Sequence, residues 1–220
     1  MKPWARVALL LCGAILLVLA LNTAVDFLNT LDRLKVVETE RDQWQRPSEV
    51  LRALDLHSGA TVVDLGSGAG YFTLKIAPVV GSPGKVIAVD LRRVSLLFLR
   101  IRAFLRNESN VEIIVGDTDN PRLPAGIADS ALICNTYHEF GNPRLMLEHT
   151  YQALRPGGRL VILDREPGAA QEHGIPEASV ESEVRRRGFE ILSREESFID
   201  RPGDEKWWLL VARKDGPDGT

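Results

Sequence analysis

Val62-Val63-Asp64-Leu65-Gly66-Ser67-Gly68-Ala69-Gly70-Tyr71-Phe72 (VVDLGSGAGYF) sets an apolar run against three glycines at alternate positions. A buried strand that breaks into a glycine turn before a helix lets the backbone approach a ligand closely, so the spacing says what that ligand is. A dinucleotide loop wants glycine at the first, third and sixth places. Here the fifth place is Gly70 and the sixth is Tyr71. The Gly-Lys-Ser/Thr of a triphosphate loop is missing too, and the pattern argues against a pyrophosphate.

Outward from this loop the chain alternates. Pro47 opens a short helix with Val50, Leu51, Leu54 and Leu56 apolar, and Thr61 to Leu65 is the first strand. Tyr71 to Val80 reads as a helix, Lys85 to Leu91 as a strand, and about fifteen residues from Arg92 as a helix. Strands follow at Val111 to Val115 and Ala128 to Asn135. Asn142 and Pro143 cap a helix expected to end at Pro156-Gly157-Gly158. Arg159 to Asp164 is a strand, Pro176 to Arg187 a helix, and Phe189 to Ile199 and Lys206 to Arg213 are strands joined by the tight Arg201-Pro202-Gly203-Asp204 turn. The fold expected is α/β: a Rossmann-like, doubly wound, mostly parallel seven-stranded sheet ending in an antiparallel hairpin.

In such a sheet ligands gather beyond the carboxyl ends of the strands. Asp64, Asp90 and Asp117 fall at the ends of the first three strands. Asp90 has the position from which an acid grips ribose hydroxyls. Three acids suit a ligand carrying an amine, a ribose and a base, and repel two phosphates.

Asp64-Leu65-Gly66-Ser67-Gly68-Ala69-Gly70, Ala88-Val89-Asp90, Gly116-Asp117 and Leu154-Arg155-Pro156-Gly157-Gly158-Arg159-Leu160 together resemble the class I S-adenosylmethionine-dependent methyltransferases, from about Pro47 to Arg213. The resemblance implies S-adenosyl-L-methionine as cofactor. Asp64, Gly66, Ser67, Gly68, Gly70, Tyr71, Asp90, Asp117, Thr118 and Asn135 form the implied binding set, with Asp90 on the ribose and Asp117 and Thr118 facing the adenine. The lead-in Glu40-Arg41-Asp42-Gln43-Trp44-Gln45-Arg46-Pro47 is similar to a bacterial membrane-anchored or exported subgroup in which such a segment lies over the cofactor.

The fourth strand runs into Cys134-Asn135-Thr136-Tyr137-His138-Glu139-Phe140, which in this family faces the transferring methyl. His138 is the candidate base, with Tyr137 or Asn135 positioning the acceptor; local bonding of His138 is the competing reading. Thr136 and Tyr137 stand where amino methyltransferases carry prolines, so nucleic-acid acceptors are not expected. Cys134 reads as a strand filler, and Asp164, Arg165 and Glu166 as solvated charges. Arg92, Arg93, Arg100, Arg102 and Arg106 read as a solvated helix face, with anionic headgroups as their alternative partner. A nicotinamide oxidoreductase and a non-catalytic binding module are the rival readings.

The 220 residues carry 27 basic against 30 acidic side chains, so no global field recommends nucleic acid as a partner. Two cysteines, Cys12 and Cys134, build neither a disulfide framework nor a cysteine-rich metal site, and His57 and His149 have no partner at ligand spacing; no metal is expected. Residues 7–25 are uncharged and as a helix span about 28 Å, close to a bilayer's hydrocarbon core. A single-pass transmembrane anchor ranks above a signal cleaved after Ala20. The flanking charges are too even to assign the side of the domain. The expected organisation is anchor or signal 1–25, charged helical connector 26–46, catalytic domain 47–214 and disordered tail 215–220. The expected acceptor is a lipophilic or membrane-associated molecule, with a small soluble metabolite as the alternative.

Overall fold

The computed structural model describes residues 2–168, 173–200 and 206–216, with backbone alone for 6–9. The expected turn at Arg201 to Asp204 and most of the expected tail lie outside the described residues. The chain divides into two compact units, Met1–Gln43 and Trp44–Thr220.

The first unit is helical, part of α1 (Pro3–Trp44, 42 residues). It is the single described helix long and apolar enough to cross a membrane. Its large apolar side chains, Leu10, Leu16, Leu19, Val25 and Leu28 among them, are exposed.

The second unit is a seven-stranded sheet in the order β3-β2-β1-β4-β5-β7-β6. β1 (Thr61–Leu65), β2 (Lys85–Asp90), β3 (Val111–Val115), β4 (Ala128–Cys134) and β5 (Leu154–Arg165) are parallel. β7 (Trp207–Lys214) runs antiparallel between β5 and β6 (Phe189–Ile199). The fold expected from the sequence is therefore present, hairpin included.

Successive strand residues serve opposite faces. Val63, Leu65, Ile87, Val89, Ile133 and Ile162 pack with α5 (Pro143–Ala153) and α6 (Glu177–Arg187). Val62, Val86, Leu132, Val161 and Leu163 pack with α2 (Pro47–Ala53) and α3 (Thr73–Val80), and Ala88 with α4 (Arg93–Leu105). With helices on both faces the central strands read as unbroken apolar runs. Trp208, fully buried, meets its one polar need by donating its indole N–H to the Ile175 carbonyl at 3.0 Å.

The largest boundary difference from expectation is at α5. α5 stops at Ala153, not at Pro156, and β5 begins at Leu154. Proline drives the residue before it out of helical geometry, so Arg155 must be extended. Residues 155–158 then form an irregularity between the pairs Ala128–Leu154 and Ser130–Arg159.

Candidate cofactor and acceptor site

β1 lies between β2 and β4, so the chain's winding reverses beside it and a crevice opens past its carboxyl end. The loop after β1 is strapped there by backbone: the N–H groups of Gly66 and Ser67 donate to the Val89 carbonyl at 2.8 and 3.1 Å. Gly66 has φ +75°, and a Cβ on it would fall 2.3 Å from Thr136 Cγ2. Gly70 has φ +91°, and a Cβ there would fall 2.2 Å from Leu99 Cδ1. Gly66 thus admits the β4 loop, and Gly70 lets α4 pack close. The packing role expected of a sixth-place glycine is taken here by the fifth.

Asp90 organises the loop. Its Oδ2 accepts from the Gly68 N–H at 2.8 Å, and its Oδ1 from the Arg92 N–H at 2.8 Å. From below, Arg102 donates to the Ala69 carbonyl. Arg102 is buried, which corrects its reading as a solvated charge. Its place was legible, since residues 96, 99, 102 and 103 fall on one helical face with Leu96, Leu99 and Ala103.

A half-open hollow of about 670 Å³, counting space that merges with solvent, lies over these strand ends. Gly66, Asp90, Asp117, Thr118 and Phe140 help to line it. Asp64 does not. It is buried, accepting from the Thr73 hydroxyl at 2.5 Å, and so ties β1 to α3. Asp117 lines the hollow but pairs with Arg122 at 2.6 Å. The rim is accordingly less negative than three bare carboxylates would make it. Tyr71 is buried edge-on against Phe72 and is not among the lining residues either. Two buried polar atoms beside the loop have no protein partner, Ser67 Oγ and Asn135 Oδ1; Asn135 takes a left-handed φ of 54°.

At the ends of β4 and β5 the groups expected to act on the acceptor separate. Tyr137 is fully buried and donates its hydroxyl to Glu183 on α6. Burial, then the bond to Glu183, pushes its phenol far up. Tyr137 is therefore a core residue, not a positioning group for an acceptor. His138 instead binds Asp164: its Nδ1 lies 2.7 Å from Asp164 Oδ1, and its backbone N–H donates to Oδ2 at 3.2 Å. Asp164 is completely buried, which corrects its reading as a solvated charge. A carboxylate facing Nδ1 selects the tautomer with the proton there and leaves Nε2 as acceptor. Arg165 Nη2 stands 3.4 Å from Nε2. Also at this end, the buried Gln45 donates its amide to Cys134 Sγ at 3.3 Å, and Trp44 meets Trp207 edge-on at 5.6 Å. Among the described residues no cluster of His, Cys, Asp and Glu is arranged to hold a metal.

The profile of a family described as a methyltransferase domain matches residues 56–195. The chain belongs to this family. Its relatives include the arsenite methyltransferase of Halobacterium salinarum, 36% identical over 110 residues, 48% of this chain and 27% of that one. The ubiquinone/menaquinone biosynthesis C-methyltransferase of Escherichia fergusonii is 32% identical over 109 residues, 48% of this chain and 43% of that one. The chain thus spans under half the length of these curated relatives. A crystal structure of an S-adenosylmethionine-dependent methyltransferase from Aquifex aeolicus superposes with a TM-score of 0.69 at 22% identity, covering 83% of this chain and 97% of that one, and so shares the fold. Fold and family make the second unit a class I S-adenosylmethionine-dependent methyltransferase domain, and the family's cofactor is S-adenosyl-L-methionine. The site suits that group: Asn135 Oδ1 is a buried acceptor wanting a donor, and Asp90, Asp117 and Gly66 stand in the lining of the hollow.

Proposed function

We propose that the protein transfers a methyl group from S-adenosyl-L-methionine to a small, lipophilic acceptor at a membrane to which α1 anchors it. The observation that carries methyl transfer is the hollow beside the glycine loop, lined by Gly66, Asp90 and Asp117, whose carboxylates repel a diphosphate, with the orphaned Asn135 acceptor next in the chain to the lining Thr136. Asp90, Asp117 and Thr118 hold the nucleoside end; Gly66, Ser67 and Gly68 pass beside the amino-acid end. When bound, the cofactor supplies an electrophilic methyl on sulfur, so the protein's own tasks are alignment and proton removal.

His138 takes the proton. With its Nδ1–H given to the buried Asp164 carboxylate, Nε2 keeps a lone pair, 3.4 Å from Arg165 Nη2, that an acceptor hydroxyl, thiol or acidic carbon reaches by displacing that contact. Asp164 acts through the imidazole, as a positioning residue. The names of the arsenite and quinone-pathway relatives support an acceptor of small-molecule class, and the long apolar helix supports one that partitions into lipid.

The test is incubation with methyl-labelled S-adenosylmethionine and, separately, a membrane lipid extract and the soluble extract. Label in the lipid arm supports the proposal. Label confined to the aqueous arm overturns the lipophilic acceptor, and tighter binding of NADH than of S-adenosylhomocysteine overturns methyl transfer itself. A reporter fused to the carboxyl end assigns the side of the membrane.

A further inference from the structure

α4 carries a second, unassigned surface on its outer side. Leu96, Leu99 and Ala103 face the sheet. Opposite them Val94, Leu97, Phe104 and Leu105 form a stripe left in solvent, with Phe104 79%, Val94 69% and Leu105 63% exposed. On the helical wheel these positions span about 100°. Arg93 and Arg100, seven residues apart and so on one line, border this stripe, and among the described residues neither has an ion-pair partner. Both also line the open groove between α4 and β3, whose floor is Val111, Ile113 and Val115 at the uncovered edge of the sheet. From Leu91 to Asn107 there is no acidic residue. The neighbouring acid on β3, Glu112, is neutralised by Lys85 at 2.8 Å.

An apolar stripe with a phenylalanine near its end and unpaired arginines along its border matches a bilayer surface: rings and aliphatic chains enter at headgroup depth while guanidinium groups stay with phosphates. The charge is of one sign, so the complementary surface is an anionic one. We propose that the outer face of α4, with Val94, Leu97, Phe104 and Leu105 as inserting groups and Arg93 and Arg100 as headgroup ligands, docks the domain on anionic lipid, independently of α1.

The experiment uses the full chain with vesicles of phosphatidylcholine alone, or with one quarter phosphatidylglycerol. Flotation reports association, and hydrogen exchange reports the 93–106 segment. The expected result is exchange in that segment several-fold slower on the anionic vesicles alone, while β5 is unchanged. About 0.5 M salt cancels the slowing, and so does the Arg93→Glu/Arg100→Glu variant. At roughly fivefold per arginine near the surface, the pair accounts for about a twenty-five-fold preference. Retention of S-adenosylhomocysteine binding shows that the variant is folded.

Flotation with anionic vesicles alone supports docking by α4 and overturns the anchor reading of α1. Flotation with both kinds of vesicle, but equal exchange of 93–106 on each, overturns α4 docking and leaves the anchor. Slowing by an added RNA or acidic polypeptide and not by vesicles overturns it in favour of a macromolecular polyanion.

Discussion

Along β1, β2 and β3 the glycine loop is held by its backbone groups, bonded to main chain and to the side chains of Asp90 and Arg102. Gly66 and Ser67 hang from the Val89 carbonyl, Gly116 from Asp90, and the Asp90 carboxylate grips the Gly68 and Arg92 amides. Along β4 and β5 the rim of the site is held by side chains drawn from afar: Asp164 holds His138 across 26 residues, and Gln45 reaches Cys134 across 89. The first half is a fixed socket that tolerates few added atoms. The second is a set of aimed groups in which exchange of one functional atom changes the chemistry while the shape persists. A family can thus keep one cofactor and vary its acceptors by leaving the first half alone.

The largest expected effect tests the aimed half. Asp164→Asn removes the carboxylate that fixes the His138 tautomer, and general-base loss predicts a fall in kcat of about a thousandfold. S-adenosylhomocysteine affinity should stay within about twofold. An unchanged kcat would make the pair purely structural. The socket half is next. Gly66→Val forces a left-handed β-branched residue, costing about 1–2 kcal/mol, and drives it into Thr136, costing about 1–3 kcal/mol more. A loss of about a hundredfold in S-adenosylhomocysteine affinity by calorimetry is expected; wild-type affinity would break the comparison.

Asp90→Ala gives a smaller loss, since hydrogen bonds to a charged group contribute about 1.5–3 kcal/mol. Titration should show affinity down by about ten- to a hundredfold with kcat at saturation little changed, which separates socket from aim. Smallest is Glu177, at the start of α6. Burial pushes its carboxyl up, and Arg194 at 3.9 Å offsets this only in part. Between the ordinary glutamate value and the raised one the folded state binds the extra proton, so stability falls as pH rises through that window. Glu177→Gln should therefore gain on wild type in urea midpoint as pH is raised from about 4.5 to 7. A gap that does not change with pH would refute the assignment.

The same contrast explains what the sequence disclosed. Strand ends carrying Gly66, Asp90 and Asp117 are read in order because each lies beside its own strand, and the periodicities that define a parallel sheet are local. Long-range partners are not encoded locally. Nothing near Asp164 marks it as the ligand of His138, and an acid closing a strand is ordinarily solvated. The sequence neighbours of Tyr137 lie at the acceptor end, yet the turn over Tyr137 to Glu139 sends it inward to Glu183. Two features do follow from local rules: Arg102 lies on the inward face of its helix, and Pro156 forbids a helix at Arg155. Asp64, buried against Thr73, shows that an acid beside a glycine turn serves as readily to join strand to helix as to meet a ligand.

β7 follows β6 in the chain, yet it sits between β5 and β6. During synthesis β6 emerges before the strand that joins it to the sheet, and β5 keeps one bare side until Trp207 to Lys214 arrive. A chain lacking those eight residues would carry a finished glycine turn, one raw β edge on β5 and two on β6, which are templates for clumping. The wedge thus ties closure of the sheet to the arrival of a single strand.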